Sequence, residues 1–233
     1  MEKRFTFLLL LLLLLVSCAS DPHHDDSLEE YNRGALELNL AVDRNILRPV
    51  ALTYKELLNA EVRYSVANML SNLNEPFYGV NYVLSFEAEN ATNSLFRFFI
   101  NSTIGILGIF DVAGTIGLPK KEVSFKDTLR KKEISTGNYL VLPILGSSST
   151  RDAIGEPVAW MINPVGYFIC FPYMLAKTIL QEVSNRAENS EIIDSIIKDS
   201  MDLYSTTKNI YLQKYSVKNK NEAEFSDTPN PDS

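Results

Sequence analysis

Residues 93–118 read NSLFRFFINSTIGILGIFDVAGTIGL, and the way this stretch is wound decides the fold. Wound as one α-helix from Phe96 to Thr115 at 100° per residue, it gathers Arg97, Asn101, Gly105, Gly108, Asp111 and Thr115 within roughly a third of the circumference. Phe96, Phe98, Phe99, Ile100, Ile104, Ile106, Leu107, Ile109, Phe110 and Val112 cover the rest. In a water-facing helix the apolar stripe is the narrow one; here the polar stripe is. Two environments fit. The broad face lies against lipid, or it lies in a protein core where the glycines permit close packing; in either case the thin polar stripe meets another helix or an enclosed polar space. On a continuous helix Arg97 and Asp111 stand about 21 Å apart and do not pair. Either each has a distant partner, or Gly105 and Gly108 break the helix. Both ions are expected to be paired or densely hydrogen-bonded, because burying an unpaired charge costs several kcal/mol.

At the start of the chain, Lys3 and Arg4 precede Phe5 to Val16, an apolar block too short to span a bilayer comfortably, as in a secretory signal. It ends in Leu15-Val16-Ser17-Cys18, which resembles the bacterial lipobox, so residues 1–17 are expected to be removed and Cys18 to be lipidated. At about 0.8 kcal/mol per buried CH₂ group, a triacylated cysteine is an effectively permanent anchor. Ala19 and Ser20 follow the cysteine, and the absence of Asp at those two positions resembles lipoproteins sent onward to the outer membrane. The chain carries 22 basic and 29 acidic side chains, net −7, and losing Glu2, Lys3 and Arg4 with the signal makes it one charge more acidic. That balance argues against a nucleic-acid partner, whose phosphates demand a basic face. The length suffices for one domain with a sizeable core. Cys170 is the only cysteine left after lipidation, which excludes an intramolecular disulfide; between Ile169 and Phe171 it reads as a small buried hydrophobe.

Residues 18–26 read as a polar, lipidated tether. His23 and His24 beside Asp25 and Asp26 suggest a metal cluster, but four consecutive residues do not hold tetrahedral geometry without further ligands, and the chain has no other histidine. No metal and no cofactor are expected. Ser27-Leu28-Glu29-Glu30 has the form of a capping box, opening a helix that ends near Asp43 to Asn45. Pro49 starts a short helix over Val50 to Leu58, Val62 to Leu73 repeat at helical spacing, and Pro76 launches another helix over Phe77 to Phe86. Glu87 to Asn93 reads as a polar turn. After Leu118, the charged run from Lys120 to Glu133 reads as a solvated face, and Gly146 to Asp152 as a loop, since it lacks the Lys of a phosphate-binding P-loop. Pro157 to Ala176 carries no charge, yet Pro164 and Pro172 divide it into short helices, buried or lying at depth in one leaflet. Trp160, Tyr167 and Tyr173 suit a membrane interface. Ile192, Ile193, Ile196, Ile197, Tyr204 and Tyr211 mark a final amphipathic region, and residues 218–233 read as a disordered polar tail. The fold expected is all-α, a single mostly helical domain over residues 27–217 with short loops.

Several blocks in order resemble the MlaA, or VacJ, lipoproteins: Tyr31-Asn32-Arg33, Leu47-Arg48-Pro49-Val50-Ala51, Ser71-Asn72-Leu73-Asn74-Glu75-Pro76, Asn81-Tyr82, Arg97 to Gly105, Gly108 to Ala113, Leu142 to Gly146, Arg151-Asp152-Ala153-Ile154-Gly155 and Tyr211-Leu212-Gln213-Lys214. The resemblance implies a mostly helical ring with an apolar periphery, set into the periplasmic leaflet of the outer membrane. Its amphipathic central channel would take mislocalised phospholipid from the outer leaflet and pass it to a soluble periplasmic lipid-carrier protein, beside trimeric porins. The blocks single out Asn32, Arg33, Arg48, Asn72, Glu75, Arg97, Asn101, Asp111, Arg151 and Asp152 as candidate structural or channel residues, and Gly105 and Gly108 as close-packing glycines. Where the family has Phe-Gly, Thr-Leu, Gly-aromatic-Gly and Gly-Pro-Tyr, this chain has Phe125-Lys126, Thr128-Leu129, Lys131 to Ser135 and Gly137-Asn138-Tyr139. The basic patch created there has two candidate partners, lipid headgroups or a carrier protein.

Two rival functions are a phospholipase and a structural envelope lipoprotein without lipid passage. For catalysis the residues are poor: both histidines lie in the tether, there is no Gly-x-Ser-x-Gly elbow, and Cys170 has no histidine partner. Asp111 and Asp152 are more simply read as partners of Arg97 and Arg151.

Overall fold

The computed structural model describes residues 27–168 and 171–226. The signal sequence, Cys18, the tether with His23 and His24, Cys170 and the last seven residues from Asp227 lie outside the described residues. The chain forms a single mostly helical domain with one small β-ribbon.

Helix α1 (Glu29–Val42) opens at Leu28 without a side-chain cap, so the capping box expected at Ser27 does not form. It does not end at Asp43 to Asn45 either. A π-turn (Asp43–Leu47) carries it directly into α2 (Arg48–Leu57), with Asp43 and Arg48 both in right-handed helical conformation. Pro49 lacks an N–H and crowds the turn before it, and a widened turn is one way a continuous helix absorbs that defect. Helix α3 (Ala60–Asn72) is capped by the Asn59 side chain, which accepts from the Val62 N–H at 2.9 Å. Pro76 stands in the first turn of α4 (Glu75–Leu84). Helix α5 (Ala88–Thr103) starts inside the segment expected to be a turn, and it packs along α4 through Tyr78, Tyr82 and Ala91.

The stretch from Phe96 to Thr115 is not one helix. Helix α5 stops at Thr103, and Ile106 (φ 52°), Leu107 (φ 57°) and Gly108 (φ 91°) follow in the left-handed region. The chain folds back, with the Gly108 N–H donating to the Asn101 carbonyl at 2.7 Å and the Phe110 N–H to that of Gly105 at 3.0 Å. A short α6 (Val112–Thr115) then lies against α5.

Helix α7 (Phe125–Lys131) falls within the charged run and begins with a capping box in which Ser124 and Asp127 bond each other's backbone N–H. It is not simply a solvated face, since Asp127 and Thr128 are buried. The segment read as a Gly-Ser loop is a strand: β1 (Tyr139–Leu142) pairs antiparallel with β2 (Gly146–Ser149), Tyr139 opposite Ser149 and Leu142 opposite Gly146. Helices α8 (Thr150–Ile162), α9 (Val165–Phe168) and α10 (Phe171–Glu188) follow; the break around Pro164 falls as expected, while Pro157 is carried inside α8, and the residues between α9 and α10 lie outside the described ones. Helix α11 (Ser190–Asp199) is strongly amphipathic, and α12 (Leu203–Ser226) runs past Lys218, where the sequence suggests a disordered tail.

Among the described residues, three small apolar clusters take the place of one large core. Ala35, Tyr139, Val141, Tyr204 and Tyr211 join α1, β1 and α12; Ala51, Val183 and Ala187 join α2 to α10; Tyr78, Tyr82, Ala91 and Val123 close α4 and α5. Phe86, Phe99, Leu107, Trp160, Met161 and Tyr167 are each more than half exposed, while Asn32, Glu75, Asn81 and Asp152 are wholly buried. Among the described residues no helix is long and apolar enough to cross a membrane.

Candidate functional site

The inward-turned polar side chains assemble at three places. At the first, the reversal after α5 brings Asp111 back to Arg97. The guanidinium, 2% exposed, donates from Nε to Glu75 Oε1 at 2.7 Å, from Nη1 to the Leu118 carbonyl at 2.6 Å and from Nη2 to Asp111 Oδ1 at 3.0 Å. Asn101 donates to the same Asp111 oxygen at 2.9 Å and accepts from the Ala113 N–H at 2.8 Å; the Gly114 N–H also reaches Asp111. Burial pushes the Asp111 carboxyl up, but the bonds from Asn101 and Gly114 and the charge of Arg97 outweigh it and leave it below the ordinary carboxylate range. For Glu75 burial dominates over Arg97 and its carboxyl is raised. Gly108 sits so close to Asn72, which donates to Ser102 Oγ at 2.9 Å, that an added Cβ would stand 2.5 Å from the Asn72 Cβ. A Cβ on Gly105 would run into the Phe110 and Asn101 carbonyls.

At the second place α1 completes the hairpin. Asn32 accepts from the Val141 N–H at 2.7 Å and donates to the Tyr139 carbonyl at 3.1 Å, and Asn39, two turns on, accepts from the Ile144 N–H at 2.6 Å and donates to the Leu142 carbonyl at 3.0 Å. Two amides thus take the part of a third strand. Asp152 is wholly buried; it receives Arg151 and the Tyr211 hydroxyl, the latter at 3.1 Å, and ties the start of α8 to α12. Arg33 forks onto Asp202 at 2.8 and 2.9 Å and lies 4.7 Å from the Tyr204 ring centre.

The third place is a charge network under the π-turn. Arg186 reaches both oxygens of Asp43, at 2.8 and 3.1 Å, and Asp194 at 2.6 Å, and Arg48 donates to Asp194 at 2.8 Å. The hydrogen bonds from Arg48 and Arg186 hold the Asp194 carboxyl down at about 2.

Between the second and third places lies a cavity of about 820 Å³, within the ~300–1,000 Å³ common for binding sites. Leu36 and Leu40 of α1, Ile193, Ile196 and Ile197 of α11 and Ile210 of α12 give it an apolar wall. Lys126, Asp127 and Arg130 of α7, Glu156 of α8 and Lys214 of α12 give it a charged one, with Lys126 paired to Glu156 and Arg130 to Asp127, each at 2.8 Å. Of the residues singled out in the sequence, Asn32, Arg33, Asn72, Glu75, Arg97, Asn101, Asp111, Arg151 and Asp152 do not line this cavity; they stitch the elements around it. Its lining was signalled in the sequence by the isoleucines of α11, by Tyr211 and Lys214, and by the basic patch that holds Lys126 and Arg130. Sequence reasoning also missed Asn39, and it missed Lys177, which bonds Asn74 and whose ammonium burial shifts toward the neutral form.

Fold and site together define a class: a mostly helical protein with its charges paired inside, large apolar side chains outside and an amphipathic cavity between. A model of the MlaA lipoprotein family matches residues 24–218, and the chain belongs to that family. It is 36% identical over 180 residues to a protein of Rickettsia felis, covering 77% of this chain and 72% of the relative. It is 31% identical over 240 residues, 99% of this chain and 94% of the relative, to the intermembrane phospholipid transport system lipoprotein MlaA of Shigella flexneri. A structure solved in a study of the maintenance of bacterial outer membrane lipid asymmetry is similar with a TM-score of 0.72 and 30% identity, over 82% of this chain and 97% of that one.

Proposed function

We propose that this lipoprotein, anchored through Cys18 to the periplasmic leaflet of the outer membrane, removes mislocalised phospholipid from the outer leaflet. In this reading lipid passes through the cavity between α1, α7, α8, α11 and α12 to a periplasmic carrier protein, beside trimeric porins. The observation that carries the reading is the two-sided lining: the isoleucine and leucine wall suits acyl chains, and the wall from Lys126 to Glu156 suits a headgroup and its water. The exposed Phe99, Leu107, Trp160 and Tyr167 support a periphery immersed in lipid, where large apolar side chains and interfacial aromatics find a favourable environment. Relatives named as phospholipid transport lipoproteins support the same reading. Transport is favoured over hydrolysis because the sequence holds no Gly-x-Ser-x-Gly elbow and its two histidines stand side by side at positions 23 and 24. The test is outer-leaflet phospholipid in cells with and without the gene. Accumulation on deletion, reversed by the wild-type chain, is expected; an unchanged outer leaflet would leave the scaffolding role, and lysolipid released by the purified protein would point to a phospholipase.

A further inference from the structure

A smaller pocket of about 340 Å³ opens beside the cavity and shares Leu40, Asp43 and Ile197 with it; the rest of its lining is Arg44, Arg48, Asp194 and Lys198. The apolar pair Leu40 and Ile197 continues the wall of the cavity, so the change from apolar to cationic falls at this rim. The volume holds about ten waters at ~30 Å³ each, room for a phosphate group and its immediate substituents.

The pocket carries more positive charge than its own carboxylates neutralise. Asp43 is held through both oxygens by Arg186, which is 4% exposed and lies beneath, and Asp194 is shared by Arg186 and Arg48. Arg44 and Lys198 form no ion pair among the described residues. Arg44 stands four residues before Arg48 along the π-turn, so two cations share one face, an arrangement that is unfavourable without an anion between them. Lys198 stands one turn after Asp194 on α11, but that carboxylate is already occupied by two arginines. A π-turn inside a helix often marks a functional position, and here it carries Asp43 and Arg44 into the pocket.

We infer that this pocket is a subsite for the phosphate group of a phospholipid, bound by Arg44 and Lys198 with Arg48 beside them, while the acyl chains lie along Leu40 and Ile197 into the cavity. The inference rests on the reading of the cavity as a lipid path. Arginine supplies a fork of donors for phosphate and lysine a mobile point charge, and the carboxylates beneath keep Arg48 in place instead of competing for Arg44.

The full-length lipoprotein, held in amphipol, is titrated calorimetrically with dihexanoylphosphatidylglycerol, with uncharged dihexanoylglycerol and with glycerol phosphate. The wild type is expected to bind the phosphatidyl compound at least about tenfold more tightly than the uncharged one, with an advantage that shrinks as salt is raised. R44Q/K198Q should lose that advantage and bind both alike, and R44K/K198R should keep most of it. Both residues are exposed, so the melting temperature of each variant should stay near wild type. Undiminished preference in R44Q/K198Q would overturn the subsite, and so would equal binding of the two amphiphiles by the wild type. Glycerol phosphate binding as tightly as the lipid would assign the pocket to a free phosphate compound and overturn its place on a lipid path. Failure of the wild type to bind either amphiphile would instead overturn the transport reading beneath it.

Discussion

Arg97 and Asp111 are fourteen residues apart and meet at 3.0 Å, because three successive left-handed residues, Ile106 to Gly108, turn the chain back on α5. On an unbroken helix they would stand about 21 Å apart. The reversal also gives Arg97 the Leu118 carbonyl, so with Glu75 its three kinds of nitrogen each have a partner. Buried and bonded on three sides, Arg97 joins α4, α5 and the Leu118 segment.

Arg97→Ala leaves Glu75 wholly buried without its cation, and the expected cost is about 3 to 5 kcal/mol in chemical denaturation. Arg97→Lys should also destabilise, since one ammonium does not reach Glu75, Leu118 and Asp111 in the geometry of a guanidinium. Asp111→Ala should cost less, because its side chain is 26% exposed. A Lys variant as stable as wild type would show that the fork is not what holds the reversal.

Gly108→Leu forces a side chain onto a backbone at φ 91° and into the Asn72 Cβ. Overpacking of this kind costs about 1 to 3 kcal/mol, and strained backbone adds to it. The melting temperature is the measurement, and no loss would mean that α3 and the 104–111 turn separate easily.

Some of this architecture is legible in the sequence and some is not, for identifiable reasons. The inverted stripe of α5, the break at the glycines and the helix break at Pro164 follow from local chemistry. Ile106 and Leu107 in left-handed conformation do not, since neither residue favours it; the contacts of α5 and α6 impose it. Gly146-Ser147-Ser148-Ser149 has little strand propensity, and its pairing with β1 is part of a ribbon whose other edge is bonded by Asn32 and Asn39 from more than a hundred residues away. The cavity as a whole is not legible, because its charged wall is drawn from three helices, with Lys126 to Arg130, Glu156 and Lys214 far apart in sequence, and its apolar wall from three as well.

Those two asparagines give a prediction for the ribbon. Asn32→Leu removes the bond to the Tyr139 carbonyl and the acceptor of the buried Val141 N–H, the latter at about 1 to 3 kcal/mol. Asn39→Ala should be milder, as it sits where Ile144 is exposed. Amide exchange at Val141 is the direct readout and should accelerate in Asn32→Leu.

The Asp194 carboxyl predicts an acid-sensitive window. Its folded value of about 2 lies below the ordinary aspartate value of about 4, so the carboxylate contributes stability that is full above about pH 4 and is lost as the pH falls toward 2. Comparing urea midpoints of wild type and Asp194→Asn between pH 6 and 2 isolates this group from Asp111 and Asp202, which are also depressed. The difference between the two proteins should shrink across that window, and a constant difference would mean that Asp194 does not titrate with folding.

The cavity itself can be filled. Ile196 on α11 faces it from the apolar wall, with open space in front, so Ile196→Trp adds volume where little has to move. If lipid passes there, cells carrying Ile196→Trp should accumulate outer-leaflet phospholipid toward the level of the deletion, while the purified variant melts within a few degrees of wild type. Ser195→Trp is the control, because Ser195 is exposed, stands about 100° round the helix and does not line the cavity. It carries the same added ring and should transport normally. Normal lipid asymmetry in both variants would mean that the space between α1 and α11 is not on the path, and equal defects in both would trace the effect to damage to α11 itself.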